Sequence, residues 1–137
     1  MNKTDFINNL NEDLKREYAA LMQYVQHAAS LSGVYFAFVQ ELYTHASDEF
    51  GHAKQLGELI TLLGGAPVAI SGPTYTASLP VGMLNQDLMA EADARGRYKV
   101  RIAEARALGE FGAEAVLLGI LKDEDNHYND LESILCG

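Results

Sequence analysis

Two segments of the chain repeat one spacing of a carboxylate and an imidazole: Glu49 with His52, and Glu124 with His127. On a helix, residues three apart share a face, so each pair can present both groups to one ion. Two further acids stand at matching distances, with Glu17 before Glu49 and Glu91 before Glu124 by about 32 residues. Each of these charged groups interrupts a stripe of apolar residues. Buried carboxylates are costly unless they are paired or bound to metal. For any single Glu, a solvated helix face or a buried polar pair is the better explanation of the interruption. Glu-x-x-His alone is a weak signal, but the doubled pattern at matched spacing points to one site. Two divalent cations would neutralise four carboxylates in a dry interior, and each would receive one imidazole. Oxygen and imidazole donors suit Fe or Mn and also accept Zn.

The apolar spacing supplies the elements that would position these groups. Ile7, Leu10, Leu14, Leu21, Tyr24, Ala28 and Leu31 recur at helical steps, which predicts a helix over roughly 5–31. Asn2 or Thr4 is its candidate cap, with Asp5 favourable in the first turn. Ser32-Gly33 breaks the pattern. A second stripe runs through Tyr35, Phe38, Leu42, Leu56, Leu59 and Leu63 to Gly64-Gly65, a natural stop. The third holds Leu84, Leu88, Tyr98, Ile102 and Ala105, and the fourth Ala113, Leu117, Ile120, Leu121, Tyr128, Leu131 and Leu135, with Gly109 and Gly112 marking the turn between them. Glu17 and Glu49 each lie sixteen residues from Gly33, and Glu91 and Glu124 are centred near the Ala107–Gly109 turn. Within each antiparallel pair the two acids therefore face each other.

All three prolines, Pro67, Pro73 and Pro80, fall with several glycines in 65–82, which reads as one long connection. Those residues can reach at most ~60 Å, while a helix of ~27 residues is ~40 Å long. The connection can travel the whole bundle, so helices two and three can run in the same direction. The expectation is an all-α four-helix bundle with a long crossover between helices two and three, residues 1–137 forming a single domain. A plain up-down-up-down bundle with a loose loop is the alternative.

Composition narrows the function. A net charge of −9 argues against nucleic acid as a partner and suits a protein that attracts cations. No apolar run approaches the ~18–20 residues of a membrane span, and the N-terminal segment lacks a signal-peptide core. The lone Cys136 excludes an internal disulfide, sulfur-ligated zinc and iron–sulfur chemistry. A cytoplasmic location is expected.

Four Glu with two Glu-x-x-His pairs is the arrangement of di-iron and di-manganese carboxylate bundles. At these residues the sequence resembles the ferritin-like family, bacterioferritins above all. REYAALMQYVQHA looks like their first ligand helix, and DEFGHA and DEDNHYNDLE look like their two Glu-x-x-His segments. The resemblance implies terminal ligands Glu17 and Glu91, bridging Glu49 and Glu124, and His52 and His127 on one metal each. It also implies Tyr24 close to the site, as a candidate source of a further electron, and Asp87 and Asp123 as acceptors for the ligand histidines. The implied activity is that of a ferroxidase in iron homeostasis and detoxification, binding two iron ions per chain and oxidising Fe(II) with oxygen or peroxide. A rubrerythrin-like peroxide reductase, drawing electrons from a separate protein, and a non-catalytic metal-binding bundle are the alternatives.

Two departures qualify the resemblance. Phe50 stands where bacterioferritins carry the haem-ligating Met, so no Met-ligated haem is expected. The chain stops ten residues after His127, without the short fifth helix of cage-forming members, so the resemblance does not extend to a 24-subunit shell.

Some residues are less specific. His45 points near the metals as an additional ligand or, more simply, as a hydrogen-bonded helix residue. His27 reads as surface or turn-facing. Tyr18, Met22, Val25 and Ala29 on helix one, with Phe36, Val39, Tyr43 and Phe50 on helix two, form a second apolar face. That face predicts a homodimer or larger homo-oligomer, against scattered surface apolars.

Overall fold

The computed structural model describes residues 1–136, and among them are four long helices and no strand. Helix α1 spans Lys3–Ser30. Asn2 caps it reciprocally: the Asp5 N–H donates to Asn2 Oδ1 at 2.8 Å and the Asn2 N–H donates to Asp5 Oδ2 at 3.1 Å. Gly33, at φ +62°, opens a 3-10 segment Gly33–Phe38 that turns the corner into α2, Val39–Leu62. The second apolar stripe therefore begins ahead of its helix, because Tyr35 and Phe38 belong to the corner. Helix α3 spans Pro80–Ala107, with Pro80 in its first turn, where a missing N–H is harmless. Helix α4 spans Phe111–Cys136. Gly112 thus lies inside α4; Gly109, at φ +71°, makes the turn alone. Gly64, at φ +94°, closes α2 in the same way, with the Gly65 N–H donating to the Ile60 carbonyl at 2.9 Å.

Cross-helix bonds fix the directions. Between α1 and α3, Tyr24 meets Glu91, Glu17 meets Tyr98 and Asn9 meets Glu104, so these helices are antiparallel. Between α2 and α4, His45 meets Asp130 and His52 meets Asp123, again antiparallel. Helices α2 and α3 consequently run in the same direction, and the crossover travels the length of α1 to allow it. Its backbone is tied to that helix: Val68 N–H donates to Asn11 Oδ1, Gly72 N–H to the Lys15 carbonyl and Tyr75 N–H to Gln23 Oε1, each at 2.9 Å.

Two apolar clusters fill the interior. One gathers Phe6, Leu10, Leu14, Leu56, Ile60, Tyr98, Leu117 and Ile120. The other gathers Tyr24, Ala28, Leu42, Met83, Leu84 and Leu131. In each helix the polar candidates fall in sequence between these two sets, so a polar layer crosses the bundle between two apolar ones. No described helix is long and apolar enough to cross a membrane.

The structure corrects the placement of His27, which is fully buried. Its Nδ1 lies 2.9 Å from both Asp87 oxygens and its Nε2 donates to the Tyr75 carbonyl at 3.0 Å. Burial alone would lower its pKa, but the hydrogen bond and charge of Asp87 outweigh that and raise it, which favours the protonated ring. It joins α1, α3 and the crossover. The sequence position could not show this, because the covering segment is far away in the chain. Replacing His27 with Ala leaves buried Asp87 with only the Gln23 amide at 2.9 Å. Breaking a buried pair costs about 3–5 kcal/mol. Denaturant unfolding of His27→Ala at neutral pH should show a loss of that order; wild-type stability would exclude the clasp.

Candidate metal centre

Every helix delivers one carboxylate to the polar layer: Glu17 from α1, Glu49 from α2, Glu91 from α3 and Glu124 from α4, each at most 2% exposed. One turn beyond Glu49 and Glu124 come His52 and His127, equally buried. The His52 Nδ1 lies 3.5 Å from Glu17, 3.2 Å from Glu49 and 3.4 Å from Glu124. The His127 Nδ1 lies 3.5 Å from Glu49 and 3.3 Å from both Glu91 and Glu124. The six residues fall into two sets, Glu17–Glu49–His52–Glu124 and Glu49–Glu91–Glu124–His127, each with its ligand atoms within 4.8 Å of one another. Glu49 and Glu124 belong to both sets.

The surrounding groups repeat with the same twofold logic. The His52 Nε2 donates to Asp123 at 2.7 Å, and the His127 Nε2 donates to Asp48 at 2.8 Å. Each of these acids directly precedes the Glu of its own helix that belongs to both sets. The bonds turn both Nδ1 atoms toward the carboxylates. Likewise the Tyr24 hydroxyl donates to Glu91 at 2.8 Å and the Tyr98 hydroxyl donates to Glu17 at 2.5 Å. Each tyrosine lies seven residues after the Glu held by the other.

Asp123 therefore sits where the resemblance implied, but Asp87 does not: it is taken by His27 and Gln23, a turn away from the ligand-type histidines. Asp48 holds His127 instead. Sequence reasoning missed Asp48 and counted Tyr98 only as core. The doubled Asp-Glu-x-x-His and the doubled seven-residue Glu–Tyr interval were the available signals. His45 is buried, donates from Nε2 to Asp130 at 3.2 Å and stacks on His127 with ring centroids 4.1 Å apart.

The residues present fit a pair of cations. Glu17 Oε2, Glu49 Oε1, Glu91 Oε2, Glu124 Oε1 and His52 Nδ1 are buried without hydrogen-bond partners. Such orphans are rare in folded proteins and call for an explanation. Charge points the same way. Burial first, then the charges of Glu17, Glu124 and Glu91, push the Glu49 carboxyl well above its usual range. Burial and Glu124 raise Glu91 to about 8. Burial would make the histidines neutral, yet the neighbouring carboxylates raise His52 to about 9 and His127 to about 11. The metal-free layer thus takes up protons where a cation would remove the repulsion.

A family description, ferritin-like domain, matches residues 7–136. The chain belongs to the ferritin-like family. It is 30% identical to a bacterioferritin of Mycobacterium bovis over 140 residues, covering 96% of this chain and 84% of that one. Its structure matches a ferritin-like, diiron-carboxylate protein of Bacillus anthracis with a TM-score of 0.94 at 33% identity, over 98% of this chain and 99% of that chain. It also matches a bacterioferritin-related protein of Bacteroides fragilis, described as a dodecameric thioferritin, with a TM-score of 0.90 at 28% identity, over 99% and 87% of the two chains. The ferritin-like bundle and its long crossover are thus shared along nearly the whole chain, and a carboxylate-rich layer able to hold two metals lies within it.

Metal binding through Nδ1 must displace the protons that His52 and His127 hold at neutral pH. Filling the layer with Mn(II) or Zn(II) at pH 7 should release at least two protons per chain. Affinity should rise with pH toward about 9, by about tenfold per pH unit for each proton displaced. Calorimetry in buffers of different ionisation enthalpy measures the release, and its absence would rule out histidine ligation.

Proposed function

We propose that this protein is a di-iron ferroxidase, oxidising Fe(II) to Fe(III) with oxygen or peroxide in iron homeostasis and detoxification. The observation that carries this reading is the pair of four-residue ligand sets sharing Glu49 and Glu124. Glu17 and His52 complete one set, Glu91 and His127 the other. Paired Fe(II) ions supply two electrons to a single oxidant, one from each ion. The protein's part is placement and neutrality. Four carboxylates balance two divalent ions, Asp123 and Asp48 hold the imidazoles in register, and Tyr98 and Tyr24 fix the terminal carboxylates. Tyr24 is also the candidate donor of a further electron. A cavity of about 350 Å³ between α1 and α3 has Glu17, Glu49, Glu91 and Glu124 in its lining, with Ala19, Ala20 and Ala90 leaving room for ions and a small oxidant. The donor set also accepts Mn or Zn, so iron is the assignment that the oxidation chemistry adds.

The working form in this proposal is a homodimer or larger homo-oligomer, without Met-ligated haem. Met22, Val25, Tyr43 and Phe50 are between 37% and 61% exposed on the outer faces of α1 and α2, which leaves an apolar face to cover. Phe50 occupies that face and offers no ligand to iron.

Stopped-flow mixing of Fe(II)-loaded protein with oxygen or peroxide should show a fast phase of two irons per chain. Glu17→Ala or Glu91→Ala should remove it, and Asp123→Asn should slow it by about 10–100-fold. Rates no faster than the protein-free control with both oxidants would leave a metal-binding bundle as the better account. For the assembly, Phe50→Glu places a charge on the apolar face and should shift a dimer or larger species toward monomer in light scattering at micromolar concentration. A monomeric wild type would contradict the interface.

A further inference from the structure

We propose that Glu41, His45 and Asp130 form a third divalent-cation site, one helical turn from the binuclear centre and sharing no ligand with it. Glu41, His45 and Glu49 are spaced four apart on α2, so they share one helix face. On α4, Asp130 follows His127 by three. The antiparallel register that brings His127 to Asp48 therefore also brings Asp130 to His45. The Glu41, His45 and Asp130 ligand atoms lie within 4.8 Å of one another. His45 is 2% exposed, with Nε2 aimed at Asp130. Its Nδ1 is buried without a partner, so Asp130 is the ring's one protein acceptor, and a cation seated between Nε2 and Asp130 would take the place of the Nε2 proton.

The two carboxylates have no other counter-charge. Among the described residues neither forms an ion pair with Lys or Arg, and the Glu41 carboxylate accepts no hydrogen bond. The Asp130 side chain is 47% accessible, so a cation here would keep solvent ligands. One imidazole and two carboxylates with open positions suit Fe(II), Mn(II), Co(II) or Zn(II). The stacked rings of His45 and His127 place such an ion directly beside the binuclear ligand set, where it can stage a metal ion at the solvent edge.

Co(II) is the probe. Wild-type protein should bind three equivalents per chain, and Glu41→Gln with Asp130→Asn should bind two. Crystals of the wild type soaked in Co(II) should show an anomalous peak between Glu41, His45 and Asp130. That measurement decides the question even if the double variant misfolds. No peak there at concentrations that fill the binuclear layer, or three equivalents retained in the folded double variant, overturns the site. A peak there with none at Glu49 and Glu124 would uphold this site and sink the binuclear reading instead.

Discussion

Four carboxylates meet in one buried layer, and their mutual repulsion is the constraint to which the rest of the bundle answers. Like charges in a dry interior cannot all ionise without cations. The metal-free protein meets this by protonation: His52 and His127 hold protons far above the usual imidazole range, and Glu49 and Glu91 resist ionising. Glu124 is the exception. Burial opposes its ionisation, but His127, Glu49 and His52 hold its pKa below the ordinary carboxylate value. The apolar clusters on either side supply hydrophobic burial to offset the strain of that layer.

Twofold repetition is how the chain builds the layer. Asp48-Glu49-x-x-His52 recurs as Asp123-Glu124-x-x-His127, and each Asp serves the histidine of the other copy. Glu17 and Glu91 follow the same exchange through Tyr98 and Tyr24. Each half of the molecule is therefore incomplete alone. The crossover makes this pairing possible, because it returns the chain along α1 and starts α3 antiparallel to α1.

Much of this was legible beforehand. The four helices follow from apolar periodicity, and the six central residues from polar interruptions at equal distances from two turns. Those signals are local or depend only on antiparallel register. What escaped depends on how the helices rotate against each other and on what covers them. Whether Asp48 or Asp87 reaches a ligand-type histidine depends on facing, not spacing. His27 looks like a surface residue until Tyr75 of the crossover is laid over it. The 3-10 corner carried apolar residues in the right phase, so Tyr35 counted as helix two although α2 begins at Val39.

One contrast within α1 separates structural acids from site acids. Asp13 lies one turn before Glu17 and is as deeply buried. It accepts from Arg97 at 2.8 Å and from Arg101 at 2.7 Å, and Arg101 continues to Glu104 at 2.7 Å. The chain therefore neutralises a buried acid with guanidinium groups where the need is structural. At Glu17, Glu49, Glu91 and Glu124 no Lys or Arg comes within ion-pairing distance among the described residues; the only positive partners there are His52 and His127. An Arg at that level would satisfy the carboxylates permanently. Two imidazoles do so reversibly, because each can give up its Nδ1 proton while Nε2 stays anchored to an aspartate. The layer is thus folded around a positive charge that can be exchanged, protons on the imidazoles giving way to metal ions in the function proposed for it.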